Sequence, residues 1–240
     1  MTPELAGLAL LVATAAAVQG FLGFGYGVIV MAVLTLSSDL VHATAFVNIS
    51  SLVLSAAMVW REPRRILWPV VLRILPAMLV GMTIGLTALR EVERDVMVPL
   101  LGGLIVAIAA WNLASPRLHS GESWLLDFVF GGVAGVFSGA FNTGGPPLVI
   151  HLYRRSEAPL TLVVTMQAIF IGSGVGRAAM AGARGLIPGG AALEGLLALP
   201  VVLLGTLGGM ALARRTRPER FRRAAWIALG CLGFSLIVVR

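Results

Sequence analysis

The 240-residue chain is 58% hydrophobic and only 12% charged, with a mean hydropathy of +0.94, which excludes an ordinary soluble domain and indicates an all-α polytopic membrane protein. All 18 basic residues are arginine, so the formal charge of +7 is permanent at physiological pH; they lie in short connections between apolar runs and form no continuous basic face, which argues against nucleic-acid binding. The single Cys231 rules out a disulfide framework and a thiolate metal site, and no metal or cofactor is expected.

A bilayer core about 30 Å thick is crossed by about 20 helical residues. Eight segments meet that requirement: Glu4–Leu36, Val41–Trp60, Ile66–Leu89, Val96–Leu113, Trp124–Tyr153, Pro159–Met180, Pro188–Ala213 and Phe221–Val239. The start, Met1-Thr2-Pro3-Glu4, carries an acid and no basic stretch, so the first segment is expected to stay in place instead of being cleaved as a signal peptide. The first and fifth segments are too long for simple spans. Each contains a break, Gly20–Val30 (GFLGFGYGVIV) in the first and Gly139–Val149 (GAFNTGGPPLV) in the fifth.

Glycine loosens a helix, while proline lacks an N–H and disfavours helix in the residue before it. In hydrocarbon the freed backbone groups cost several kcal/mol each, so such a break belongs inside protein or beside a polar cavity. A shift of 119 positions superposes Gly20 on Gly139, Gly25 on Gly144 and Val30 on Val149. Further on, Pro76–Gly81 and Gly85 match Pro200–Gly205 and Gly209 in a common register. The chain therefore reads as two homologous repeats, 1–113 and 124–240, joined by a polar connection at 114–123.

Two interrupted segments at corresponding places in two halves point to a transporter's binding site. Full crossing by both broken segments makes the halves parallel; re-entrant hairpins leave three full spans each and make them inverted. With Arg73 and Arg177 set aside, full crossing divides the arginines ten against six, and re-entry divides them twelve against four. The positive-inside rule favours the inverted arrangement.

The doubled glycine-rich break followed by an apolar run, with NTGGPPLV in its second copy, resembles the sulfite exporter TauE/SafE family, also called the 4-toluene sulfonate uptake permease family. The resemblance covers nearly the whole chain, and it implies a carrier of small sulfur-containing anions or organic sulfonates in the cytoplasmic membrane.

Read from the residues, the breaks offer backbone N–H groups, and helices resuming near Val28 and Leu148 would aim their positive ends at a small anion. Candidate substrate contacts are Gly23, Gly25, Tyr26 and Gly27 at the first tip and Asn142, Thr143, Gly144, Gly145 and Pro146 at the second. Asn48 and Gln167, superposed by the same 119-residue shift, either donate to the anion or join helices. Arg177 is a further candidate, although snorkelling to the interface is the favoured reading for it and for Arg73. His151 could titrate in proton coupling or serve as a hydrogen-bonded structural residue. The acids, Asp127 included, are read as lying near segment ends, and Gly81, Gly85, Gly131, Gly135, Gly139, Gly205 and Gly209 as helix-packing positions.

Expected partners are the lipid bilayer and a small anion moved by alternating access; assembly into a homo-oligomer is compatible with the sequence. The competing classes are a structural or assembly membrane protein and a membrane-embedded enzyme. The enzyme reading lacks an HExxH motif, a Ser–Lys dyad, and a pair of acids within an apolar run.

Overall fold

The computed structural model describes residues 3–114 and 123–213, together with 226–227, 230–231 and 233–238. Among the described residues the structure is helical: α1 (Pro3–Leu22), α2 (Tyr26–Ser37), α3 (Leu40–Arg61), α4 (Trp68–Glu91), α5 (Arg94–Ala114), α6 (Trp124–Phe141), α7 (Gly145–Leu152), α8 (Pro159–Ala183), α9 (Gly189–Leu197) and α10 (Leu199–Ala213), with a 3-10 turn at Pro63–Arg65 before α4. Residues 226–227, 230–231 and 233–238 are helical within the expected eighth segment.

Four of these helices, α3, α4, α6 and α8, are each long and apolar enough to cross a bilayer, and α9 and α10 together reach that length and hydropathy as a bent pair. Leu72, Val80, Ile84, Leu100 and Leu204 stay exposed, as lipid-facing side chains do, and Trp60, Trp68 and Trp124 are exposed beside polar connections, where indoles suit the headgroup region. The seventh segment was expected to be continuous. It bends by 47° at Ala198, two residues before Pro200, whereas Pro76 sits inside an unbroken α4.

The two breaks are helix terminations of related kind. Asn142, at φ 53°, ends α6 in the left-handed conformation; its N–H donates to Ser138 O at 2.9 Å, the bond of an αL cap, and the Thr143 N–H donates to Phe137 O at 3.3 Å. Gly23, 119 positions earlier, ends α1 at φ 84°, its N–H donating to Gln19 O. The helices resume sooner than expected, at Tyr26 and Gly145. Pro146 and Pro147 fall in the first turn of α7, where a missing N–H costs nothing, so they start the second helix and the left-handed Asn142 stops the first.

After the second break the chain turns back along α6. A Cβ on Gly144 would lie 2.7 Å from Ala134 O, the Phe130 and His151 rings stack at 4.9 Å, and Arg155 reaches Asp127, so α7 runs antiparallel to α6. In the first half the Tyr26 N–H donates to Gln19 Oε1 and Gly25 abuts Val18, folding the start of α2 onto the end of α1.

The closest packing is α4 on α6 and α1 on α10. A Cβ on Gly81 or Gly85 would overlap the carbonyl oxygens of Gly132 and Val136; on Gly205 or Gly209 it would overlap those of Ala13 and Ala17. Gly139 meets Met82 O as Gly20 meets Thr206 O. Each contact in one interface has its counterpart in the other under the two registers of the sequence match. Glycine lets these backbones touch, and contact of that kind, in place of a hydrophobic drive absent in lipid, holds membrane helices together. Gly131, where alanine would seem mild, is equally confined, since a Cβ there would lie 2.7 Å from Ile74 O.

Candidate functional site between the two helix breaks

The two tips meet. A Cβ on Gly27 would lie 2.6 Å from Asn142 O, so the first turn of α2 rests on the residue that ends α6. Around this contact is a cavity of about 50 Å³, room for a solute of a few heavy atoms.

Its lining comes in pairs 119 positions apart: Gln19 with Ser138, Phe24 with Thr143, Gly25 with Gly144, Gly27 with Pro146, Ser51 with Phe170, and Ser55 with Gly174. Val28, Asn142, Gly145 and Ser173 complete it. No carboxylate lines the cavity among the described residues. Its polar groups are hydroxyls, carboxamides and backbone, and its apolar walls are Phe24, Val28, Pro146 and Phe170.

Thr143 carries the most informative atom. Its side chain is buried, it lines the cavity, and its Oγ1 has no hydrogen-bond partner among the described residues. A buried hydroxyl left unpaired costs about 1–3 kcal/mol, so the cavity is matched to a polar occupant. α2 contributes the N–H groups of Gly27 and Val28 near its positive end. α7 presents fewer than expected, because Pro146 and Pro147 have none.

Of the sequence candidates, Gly25, Gly27, Asn142, Thr143, Gly144, Gly145 and Pro146 line the cavity. Gly23 and Tyr26 do not: Gly23 O accepts from Gln167 Nε2 at 2.6 Å, and the Tyr26 hydroxyl is spent on Ser50 Oγ at 2.7 Å. Asn48 and Gln167 sit behind the wall as helix-joining carboxamides. Asn48 Nδ2 donates to Gly174 O at 3.2 Å, and Gln167 Oε1 accepts from Ser55 Oγ at 2.9 Å, equivalent contacts across the antiparallel crossing of α3 and α8.

Arg177 corrects an expectation. It does not snorkel; it is 1% exposed, and its guanidinium donates to Ser138 O at 3.0 Å and Gly139 O at 3.2 Å, the last carbonyls of α6. A cation at a helix C-terminus satisfies orphan carbonyls and opposes the dipole. No carboxylate pairs with it among the described residues, so a fixed positive charge stands directly behind Ser138 and the cavity.

Sequence reasoning missed Gln19, Ser51, Ser55, Ser138 and Ser173. The signal existed for two of them: Gln19 and Ser138 are polar residues at equivalent positions, one turn before each break. It also placed Asp127 among peripheral acids. Asp127 is fully buried instead, accepting from His151 Nε2 at 2.6 Å and from Arg155 Nη2, with Arg73 Nη1 at 3.7 Å. Arg73, half exposed, thus reaches inward to an acid while keeping contact with the surface.

A profile of the family described as "Sulfite exporter TauE/SafE" matches residues 8–236. The chain is 29% identical over 243 residues to the "Probable sulfite/organosulfonate exporter TauE" of Cupriavidus necator, covering 98% of this chain and 94% of the relative. To the "Probable inner membrane transporter protein TsaS" of Comamonas testosteroni it is 27% identical over 177 residues, 72% of this chain and 73% of the relative. No solved structure matches it. A doubled helix break around a polar cavity, in a helical membrane protein matched end to end by this profile, places the chain in the sulfite exporter TauE/SafE family of membrane transporters.

Proposed function

We propose that the protein is a carrier that moves a small oxyanion, sulfite or a short organosulfonate, across the cytoplasmic membrane by alternating access between two inverted halves, 1–113 and 124–240. The observation that carries the site is the cavity between the tips, lined by equivalent positions of both halves and holding the unpaired Thr143 hydroxyl. Anion preference follows from many donors, two helix N-termini, Arg177 behind the wall and no carboxylate among the described lining residues. The names of the two relatives agree with sulfonate transport and with an inner membrane, and favour a carrier over an enzyme or an assembly factor.

Inversion is supported by the return of α7 along α6, which makes the fifth segment a hairpin, and by the antiparallel crossing of the equivalent helices α3 and α8, which parallel halves would run in the same direction. Re-entry also groups the arginines at one face, as the positive-inside rule requires.

A binding screen tests the site. Sulfite and methanesulfonate should raise the melting temperature of purified protein saturably, as a ligand of the folded state does, while chloride at matched ionic strength should not. Stabilisation by cations or neutral solutes alone would refute the anion reading.

A further inference from the structure

The Asp127 cluster lies outside the cavity and has no part in the site described above. Asp127 is a wholly buried carboxylate on α6, facing His151 of α7, Arg155 just beyond α7 and Arg73 of α4; Arg154 adjoins the histidine. Phe130 of α6 covers the imidazole face. With two guanidiniums already around one carboxylate, the histidine that fits is neutral, its Nε2–H donating to Asp127 Oδ1. That tautomer leaves a lone pair on Nδ1, which is buried and has no partner among the described residues.

A proton added at Nδ1 would create a buried imidazolium among Arg73, Arg154 and Arg155, with a new N–H that nothing accepts. The closed arrangement of α7 on α6 therefore resists the proton, and a state with His151 drawn away from α6 into water accepts it. By linkage, the proton favours the released state.

Holding a hairpin shut does not require such a cluster. In the first half the equivalent positions are Leu8, Ala32 and Leu36, and the counterpart of Arg73 is Leu197, so α2 closes on α1 with no ionisable group there. His151 also lies six residues beyond Gly145, about 9 Å along α7 from the cavity, so movement at the cluster and movement at the cavity wall are movements of one short helix. Arg73, half exposed, connects the cluster to the surface.

We propose that Asp127, His151 and Arg155 form a proton-binding site, with His151 Nδ1 as the acceptor, that couples release of the second hairpin, and hence anion movement, to proton uptake. The proton adds from water to the Nδ1 lone pair, forming an N–H bond and an imidazolium, and returns to water when the hairpin recloses on Asp127; no other bond changes. One acceptor sets one proton per cycle. This inference rests on the carrier reading for its transport half and on the cluster alone for its proton half.

The experiment uses proteoliposomes loaded with a pH-sensitive dye and driven by methanesulfonate, which carries no proton of its own near neutrality. Wild-type anion flux should be accompanied by proton movement, and H151Q, able to donate to Asp127 but not to accept a proton, should keep anion-induced stabilisation while the proton signal falls to that of empty liposomes. Proton movement that persists in H151Q, or wild-type flux without any, overturns the coupling. In parallel, the wild-type melting temperature should fall more steeply than that of H151Q between about pH 8 and about pH 5, the range where histidine titrates. Identical profiles overturn the proton site. Absence of flux for any anion would refute the carrier reading and the coupling with it, while the melting profiles still decide whether His151 binds the proton.

Discussion

The α1–α2 and α6–α7 hairpins end their first helices at equivalent left-handed residues and line one cavity at equivalent positions, yet they are closed by different chemistry. α2 lies on α1 through apolar contact and a Gln19–Tyr26 bond, whereas α7 is tied to α6 through a buried carboxylate with a histidine and an arginine. Their tips differ as well: the first uses two glycines at positive φ, and the second uses Asn142 followed by two prolines that remove donors. Duplication thus supplies a symmetric cavity, and divergence closes its two hairpins through different contacts.

A large loss of stability is expected in what the halves share. Gly85→Val and Gly209→Val each drive a side chain into a carbonyl of the partner helix, and each should cost about 3 kcal/mol or more by overpacking. Both should be read as loss of monodisperse, heat-stable protein. Similar losses support equivalent interfaces; tolerance of either one would show that the two interfaces are not equivalent.

Where the halves differ, the response should differ. Asp127→Asn leaves two guanidiniums around a neutral amide and should destabilise by about 3–5 kcal/mol, the usual penalty for removing one partner of a buried ion pair. Leu8→Asn, at the equivalent but partly exposed position, should cost clearly less. Thermal unfolding of the two variants side by side checks this, and equal losses would erase the distinction between an ionic and an apolar hairpin.

A smaller effect with an informative sign belongs to Thr143. Thr143→Val removes a buried hydroxyl that has no partner, so the ligand-free protein should be unchanged or more stable by about 1 kcal/mol, while stabilisation by methanesulfonate should shrink. A drop in ligand-free stability would mean that the hydroxyl is already satisfied in the resting protein.

The helical class, the two breaks, their 119-residue relation and the glycine packing positions were all legible, because hydropathy, Gly/Pro chemistry and repetition are local properties of a chain. Tip residues Asn142, Thr143 and Gly144 were legible for the same reason. Arg177 was misread because its position near a segment end says nothing about which way it faces; only the place of α6 beside it reveals carbonyls for it to cap. Asp127 was misread likewise, since its partners Arg73 and Arg155 come from distant parts of the chain. The bend at Ala198 escaped because proline alone does not decide it: Pro76, the equivalent of Pro200 in the matching register, is accommodated inside an unbroken helix.

Saturable uptake of labelled methanesulfonate into proteoliposomes, compared between the wild type and a double variant carrying Asn142→Gly and Thr143→Val, addresses the anion site between the tips most directly. The double variant should insert to the same extent and retain its fold, because glycine adopts the left-handed conformation of Asn142 and neither change adds bulk to a packed interface, yet its saturable uptake should fall to the level of empty liposomes. Unchanged uptake by the double variant at matched insertion would contradict the assignment of the site.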